Sequence, residues 1–170
     1  MVLIMMGVAG AGKTTVGKLL AEKLGWQFAD ADDFHPKENK DKISRGIPLT
    51  DADRAPWLAV MRNAILQWKA ASENVVLACS ALKRSYRDEL RTGPVRFVFL
   101  KGDYALFLER LRLRHGHFAD EKILASQLAT LEEPDDGESR DSELSTITVP
   151  AELSPEEIVA AIIAKLKANG

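Results

Sequence analysis

Two short stretches of the chain carry residues whose types and spacing could do chemistry. The first, GVAGAGKTT at residues 7–15, satisfies the pattern G-x-x-x-x-G-K-[ST] through Gly7, Gly12, Lys13 and Thr14. Glycines there let the backbone fold back so that successive N–H groups converge on an anion at the positive end of the following helix. Gly7, Val8, Ala9, Gly10, Ala11, Gly12, Lys13, Thr14 and Thr15 are therefore predicted to cradle the phosphates of a nucleotide. Lys13 would meet the outer phosphates, and the Thr14 hydroxyl would ligate Mg²⁺ beside them. The second stretch, DADDFHP at residues 30–36, sets three carboxylates and a histidine ahead of a proline suited to starting a helix.

What the acidic stretch does depends on where it sits relative to the loop. Residues two apart in an extended chain point to the same side, so Asp30 and Asp32 could both face a metal-bound nucleotide and an acceptor hydroxyl. One would hold metal-bound water while the other accepts or orients the hydroxyl proton, and the residues alone leave the order open. The assignment adopted puts Asp30 with Thr14 on the metal and Asp32 on the hydroxyl. Asp33 is expected to cap the helix begun near Pro36. The plainer alternative is a solvated turn with a cap. A further reason favours chemistry: the apolar run VVLACS closes in Cys79 and Ser80, so the acidic strand ending usual in nucleotide-binding loops of this kind is missing and must come from elsewhere.

Both stretches need elements to position them. Short apolar runs at residues 2–6, 27–29, 75–79, 95–100 and 145–149 predict strands, separated by longer stretches of helical period. The third and fourth runs are continuously apolar, as in parallel strands covered by helices on both faces. An open parallel sheet would bring the end of the second strand onto the same crevice as the loop. Between residues 54 and 72, Trp57, Met61, Ala64, Ile65 and Trp68 share one helical face and are predicted to be core, with Pro56 in the first turn. SPEE at residues 154–157 announces the last helix through a capping box of Ser154 and Glu157.

Composition excludes several classes. At 170 residues, 46% hydrophobic and 28% charged, the chain is expected to form one soluble domain. A formal net charge of -2 argues against nucleic-acid binding, which needs a broad cationic surface. Cys79 is the sole cysteine, so no disulfide framework is expected. MVLIMM is too short to span a bilayer and no other stretch is long and apolar enough, so no membrane association and a cytoplasmic location are expected. A GTPase would want N-K-x-D after a strand, and NKDK at residues 39–42 ends in lysine within a charged, helical stretch.

Over essentially its whole length the chain resembles the gluconokinases, small P-loop carbohydrate kinases related to shikimate and adenylate kinases. The resemblance rests on GVAGAGKTTVG, DADDFHP, NKDKISRGIPLTDADRAPWL, CSALKRSYRDELR, FLKGD and RHGHFADEKILASQLATLEEP, in that order. Ala31 and Phe34 stand where the family often has glycine and leucine, and neither change removes a polar group. The resemblance implies an α/β P-loop NTPase fold, a five-stranded parallel sheet in order 2-3-1-4-5, flanking helices and a mobile lid at about residues 114–130. It implies transfer of the ATP γ-phosphoryl group to the 6-hydroxyl of D-gluconate, with Mg²⁺. Gluconate carries a carboxylate, so a cationic pocket is expected from Lys83, Arg84 and Arg87, with His35, Arg45 and Arg54 as further substrate contacts. In related kinases the lid region would stack Arg110 on adenine and carry Arg114 to the phosphates, while Arg112 faces solvent. Gln127 would contact lid or substrate, or simply pack. His115 and His117 lack the further ligands a metal site needs. Relatives are often dimeric, and homodimer and monomer both stay open. The rival readings are a shikimate-type kinase, against which the absence of a glycine run after the third strand counts, and an idle nucleotide-binding regulator.

Overall fold

Alternation along the first strand decides the layering. β1 (Val2–Met6) sends Leu3 and Met5 into one core cluster and Val2, Ile4 and Met6 into another, and all of these residues are buried. A strand buried on both faces must lie in the middle of a sheet covered on both sides. The computed structural model describes residues 1–115, 118–135, 137–139 and 141–168, without the side chains of residues 114, 115, 118–120 and 142.

Four further strands join β1 in parallel: β2 (Gln27–Asp30), β3 (Val75–Ala78), β4 (Val95–Lys101) and β5 (Ile147–Pro150), in the order β2-β3-β1-β4-β5. This is the predicted topology. The Leu3 face is covered by α1 (Lys13–Leu24), α5 (Tyr104–His115), α6 (Phe118–Thr130) and α7 (Pro155–Ala168), through Val16, Leu20, Phe107, Leu124, Ile158 and Ile162. The Ile4 face is covered by α3 (Asp51–Ala70) and α4 (Arg84–Leu90), through Trp57, Met61, Ile65, Tyr86 and Leu90. A short 3₁₀ turn (Ala31–Phe34) and α2 (Lys37–Ser44) connect β2 to α3 and stand at the carboxyl end of the sheet. Among the described residues no helix is long and apolar enough to cross a membrane.

α3 begins earlier than the periodicity predicts. Thr50 Oγ1 accepts from the Asp53 N–H at 3.2 Å while Asp53 Oδ2 accepts from the Thr50 N–H at 2.9 Å, a reciprocal cap that starts the helix at Asp51. Pro56 consequently lies inside the helix rather than in its first turn. At α7 the predicted cap is present, with Ser154 N donating to Glu157 Oε2 at 2.9 Å and Glu157 N donating to Ser154 Oγ at 3.3 Å.

Candidate active site

The loop between β1 and α1 has the backbone geometry that its glycines permit. Gly10 sits at φ 80°, where a Cβ would fall 2.8 Å from the Phe107 carbonyl oxygen, and Gly12 at φ 94° forms the N-cap of α1. No side chain caps that helix, so its first N–H groups and positive end face the cleft. Lys13 Nζ folds back to donate to the Val8 carbonyl at 3.0 Å. The loop is tied down twice from outside: Gly7 N donates to the Ser80 carbonyl at 3.3 Å, and Ala9 N donates to Gln127 Oε1 at 2.6 Å. Gln127, expected at lid or substrate, thus reaches from α6 to the loop backbone.

Sheet register carries the acidic pair to this loop. Asp30 and Met5 both pair with Ala78, so Asp30 stands level with the end of β1, where the loop begins. Thr14 Oγ1 donates to Asp30 Oδ2 at 2.8 Å, and Asp30 Oδ1 accepts from the Asp32 N–H at 3.0 Å. Asp30 is therefore both the strand's last residue and the cap of the 3₁₀ turn. That turn corrects the extended-chain argument: Asp32 reaches the cleft because the chain coils, not because it continues as a strand. Asp33 does not cap α2, whose N-cap is Pro36 without a side-chain bond; its carbonyl instead accepts from Lys40 Nζ at 3.1 Å.

The Asp32 carboxylate is open to solvent at the cleft mouth yet surrounded by protein walls. The nearby protein, which displaces part of the surrounding water, and then the charge of Asp30, opposed by Lys13, push its pKa above the ordinary carboxylate range. Two negative groups beside an uncapped helix end invite a cation. Thr14 and Asp30 offer hard oxygen ligands side by side, and among the described residues no group of three or more His, Cys, Asp or Glu side chains could enclose a metal. One hydroxyl and one carboxylate completed by phosphate oxygens and water is a donor set that fits Mg²⁺.

His35, at the end of the same turn as Asp32, is buried and stacks on Trp57 with ring centroids 4.4 Å apart and planes 13° from parallel. Trp57 Nε1 donates to the Ala31 carbonyl at 2.8 Å, which pins the indole against the turn between the two aspartates. Burial first, then the charges of Lys40 and Arg54, hold the His35 pKa down at about 4, so the ring is neutral at neutral pH. Arg54 also lines the cleft, its guanidinium 5.7 Å from the Tyr86 ring centre and 3.9 Å from Asp51.

Among the described side chains, the other predicted cations are held by partners away from the phosphate loop and the acidic pair. Arg87 is fully buried: Nε donates to Glu138 Oε2 at 2.7 Å, Nη2 bonds Glu138 Oε1, and Nη1 donates to the Ala81 and Leu82 carbonyls at 3.0 and 3.1 Å. It is a structural residue, and its prediction as a substrate contact is corrected. Arg84 turns to Asp135 at 3.6 Å, and Arg45 donates from Nε to the Asp41 carbonyl at 3.3 Å on the exposed end of α2. Lys83 pairs with Asp51 at 2.7 Å and is not among the residues that line the cleft. Arg110 donates from Nη2 to the Ala151 carbonyl at 2.6 Å, beside the turn after β5. The side chain of Arg114 lies outside the described residues, as do Gly116 and His117.

These walls enclose a cleft of about 400 Å³ that joins the loop, Asp30, Asp32, His35 and Arg54 to apolar groups from Ile43, Ile47, Trp57 and Leu111. Sequence reasoning missed Ile43 and Ile47, which read as ordinary helix and loop residues. It also missed Glu138, which no motif marks and which the fold alone brings to Arg87.

Fold and cleft together define a phosphotransferase of the P-loop class. The sequence model of the shikimate kinase family matches residues 9–167. A gluconokinase of Gluconobacter oxydans is 45% identical, covering 98% of this chain and 92% of that protein. A probable gluconokinase of Xenopus tropicalis is 47% identical over 79% of this chain and 80% of its own. The crystal structure of a gluconokinase from Sinorhizobium meliloti superposes with a TM-score of 0.85 at 43% identity, covering 98% of this chain and 91% of that one. The chain belongs to the gluconokinases, within the wider shikimate kinase family.

Proposed function

We propose that the chain transfers the γ-phosphoryl group of ATP to the 6-hydroxyl of D-gluconate, giving 6-phospho-D-gluconate and ADP, in the cytoplasm. The observation that carries this reading is the hydrogen bond from Thr14 to Asp30, which ties the acidic turn to the start of α1, in the same cleft as Lys13. The loop from Gly7 to Thr15 holds the phosphates on backbone N–H groups, and Lys13 offsets the charge that spreads onto the transferring group. Thr14 and Asp30 would hold Mg²⁺, which would supply positive charge to counter that of the phosphates. Asp32 accepts the proton as the 6-hydroxyl oxygen bonds to the γ-phosphorus and the bond to the bridging oxygen of ADP breaks.

On the acceptor side, His35 and Arg54 contact the hydroxyls and carboxylate of gluconate, a guanidinium being suited to a carboxylate. Arg110 stacks its planar group on adenine beside the turn after β5. Residues 114–130 act as the lid of a single domain, bringing Arg114 to the phosphates and excluding water on closure. A coupled assay of ADP release with gluconate, shikimate, nucleoside monophosphates or no acceptor tests the reading. Release that depends on gluconate is expected; release stimulated by shikimate instead, or by no acceptor, contradicts it.

A further inference from the structure

Asn39, on α2, is buried at 3% exposure and belongs to none of the motifs that bind phosphate or proton. Its amide nitrogen lies 2.8 Å from the Asp53 carbonyl oxygen and 3.3 Å from His35 Nδ1. A carbonyl oxygen only accepts, so the Asn39 group facing it must be the NH₂, which has a second hydrogen to give. That hydrogen points to Nδ1, which must then present its lone pair. In a neutral imidazole the proton then resides on Nε2. Nε2 is the nitrogen turned to the cleft, 3.9 Å from Asp32 Oδ1.

We propose that Asn39 is a positioning residue that fixes His35 as the neutral Nε2–H tautomer, so that a hydrogen-bond donor stands beside Asp32 where the acceptor hydroxyl docks. The reason lies in the hydroxyl's own valence: it has one proton to give and lone pairs to receive. Asp32, ionised, only accepts, so a second acceptor beside it would leave a lone pair facing a lone pair. The opposite tautomer would do that. An imidazolium would donate, but its charge would lower the basicity of Asp32. A neutral Nε2–H donor avoids both.

The surroundings support this form of the ring. Lys40 from α2 and Arg54 from α3 oppose a positive charge on it, while Asp32, the carboxylate that would favour one, sits 3.9 Å away and exposed. The Asp53 carboxylate faces Lys42 and Thr50 instead, at 2.7 and 2.9 Å. Stacking on Trp57 fixes the ring plane.

This inference rests on the proposed acceptor chemistry, but its first test does not need it. Side-chain ¹⁵N spectra of the full chain without nucleotide or sugar should show a pyridine-type Nδ1 and a protonated Nε2 at His35, unchanged through the neutral pH range. An Nδ1–H tautomer, or titration in that range, overturns the proposal whatever the substrate proves to be. Asn39→Asp replaces the donor with an acceptor and should move the proton to Nδ1. With gluconate as acceptor, kcat/KM should fall by roughly tenfold to a hundredfold while KM for ATP stays put. If the tautomer moves and gluconate kinetics do not, or the kinetics fall with the tautomer unmoved, the positioning role is refuted. Should that variant fail to fold, the native spectrum still decides.

Discussion

The two cationic regions that the sequence offers, the loop with Lys13 and the KRSYR segment at residues 83–87, meet different fates in the fold. Lys13 is delivered to the cleft by backbone geometry: the glycines at positive φ, the uncapped helix and the strand end leave its Cα one position. In the second region only the chain direction is local. Arg87 is drawn inward to Glu138, Arg84 outward to Asp135 and Lys83 sideways to Asp51, each by a residue distant in sequence. A motif that constrains the backbone predicts location; a cluster of long charged side chains predicts only charge.

The contrast is breakable. Its largest expected effect is on stability: Glu138→Ala strands the buried Arg87 guanidinium and should destabilise the fold by about 3–5 kcal/mol, read by denaturant unfolding. If the chain loses little stability and gluconate affinity changes instead, Arg87 belongs to the substrate site after all. Lys13→Met should lower kcat by about 10²–10³-fold with stability nearly unchanged, since it removes charge stabilisation rather than packing.

A pH effect follows in size. His35 has a folded-state pKa of about 4, below the ordinary value of about 6.5. Its depressed pKa means that protonation favours the unfolded chain, so stability is full above about 6.5 and is lost as pH falls towards 4. His35→Phe should flatten that part of the stability profile, and an unchanged slope would show that His35 is not its source. The smallest effect is expected at Arg84→Ala, whose exposed pair with Asp135 should contribute less than about 1 kcal/mol and leave the KM for gluconate unaltered.

How much was legible follows the same division. The sheet order comes with the family resemblance, while the capped start of α7 and the meeting of Thr14 with Asp30 follow from short-range rules and strand order. The start of α3 leaves no such mark, because Asp53 takes the capping role usually read from Glu or Gln. The coil at Ala31–Phe34 is not legible, because a 3₁₀ turn of this length leaves no periodic signal. Glu138 and Asn39 were invisible for a different reason: each matters through one partner, Arg87 in one case and His35 in the other, that only the packed chain brings near.

The central claim is that Asp32 accepts the hydroxyl proton in a cleft where other residues, the loop above all, hold the nucleotide. Asp32→Asn keeps the shape and removes the proton acceptor, and measuring kcat together with the dissociation constant for ATP separates the two roles. The account predicts a fall in kcat of about 10²–10⁴-fold with ATP affinity within about twofold of the parent. Retention of full turnover, or loss of ATP binding in proportion to turnover, would contradict it.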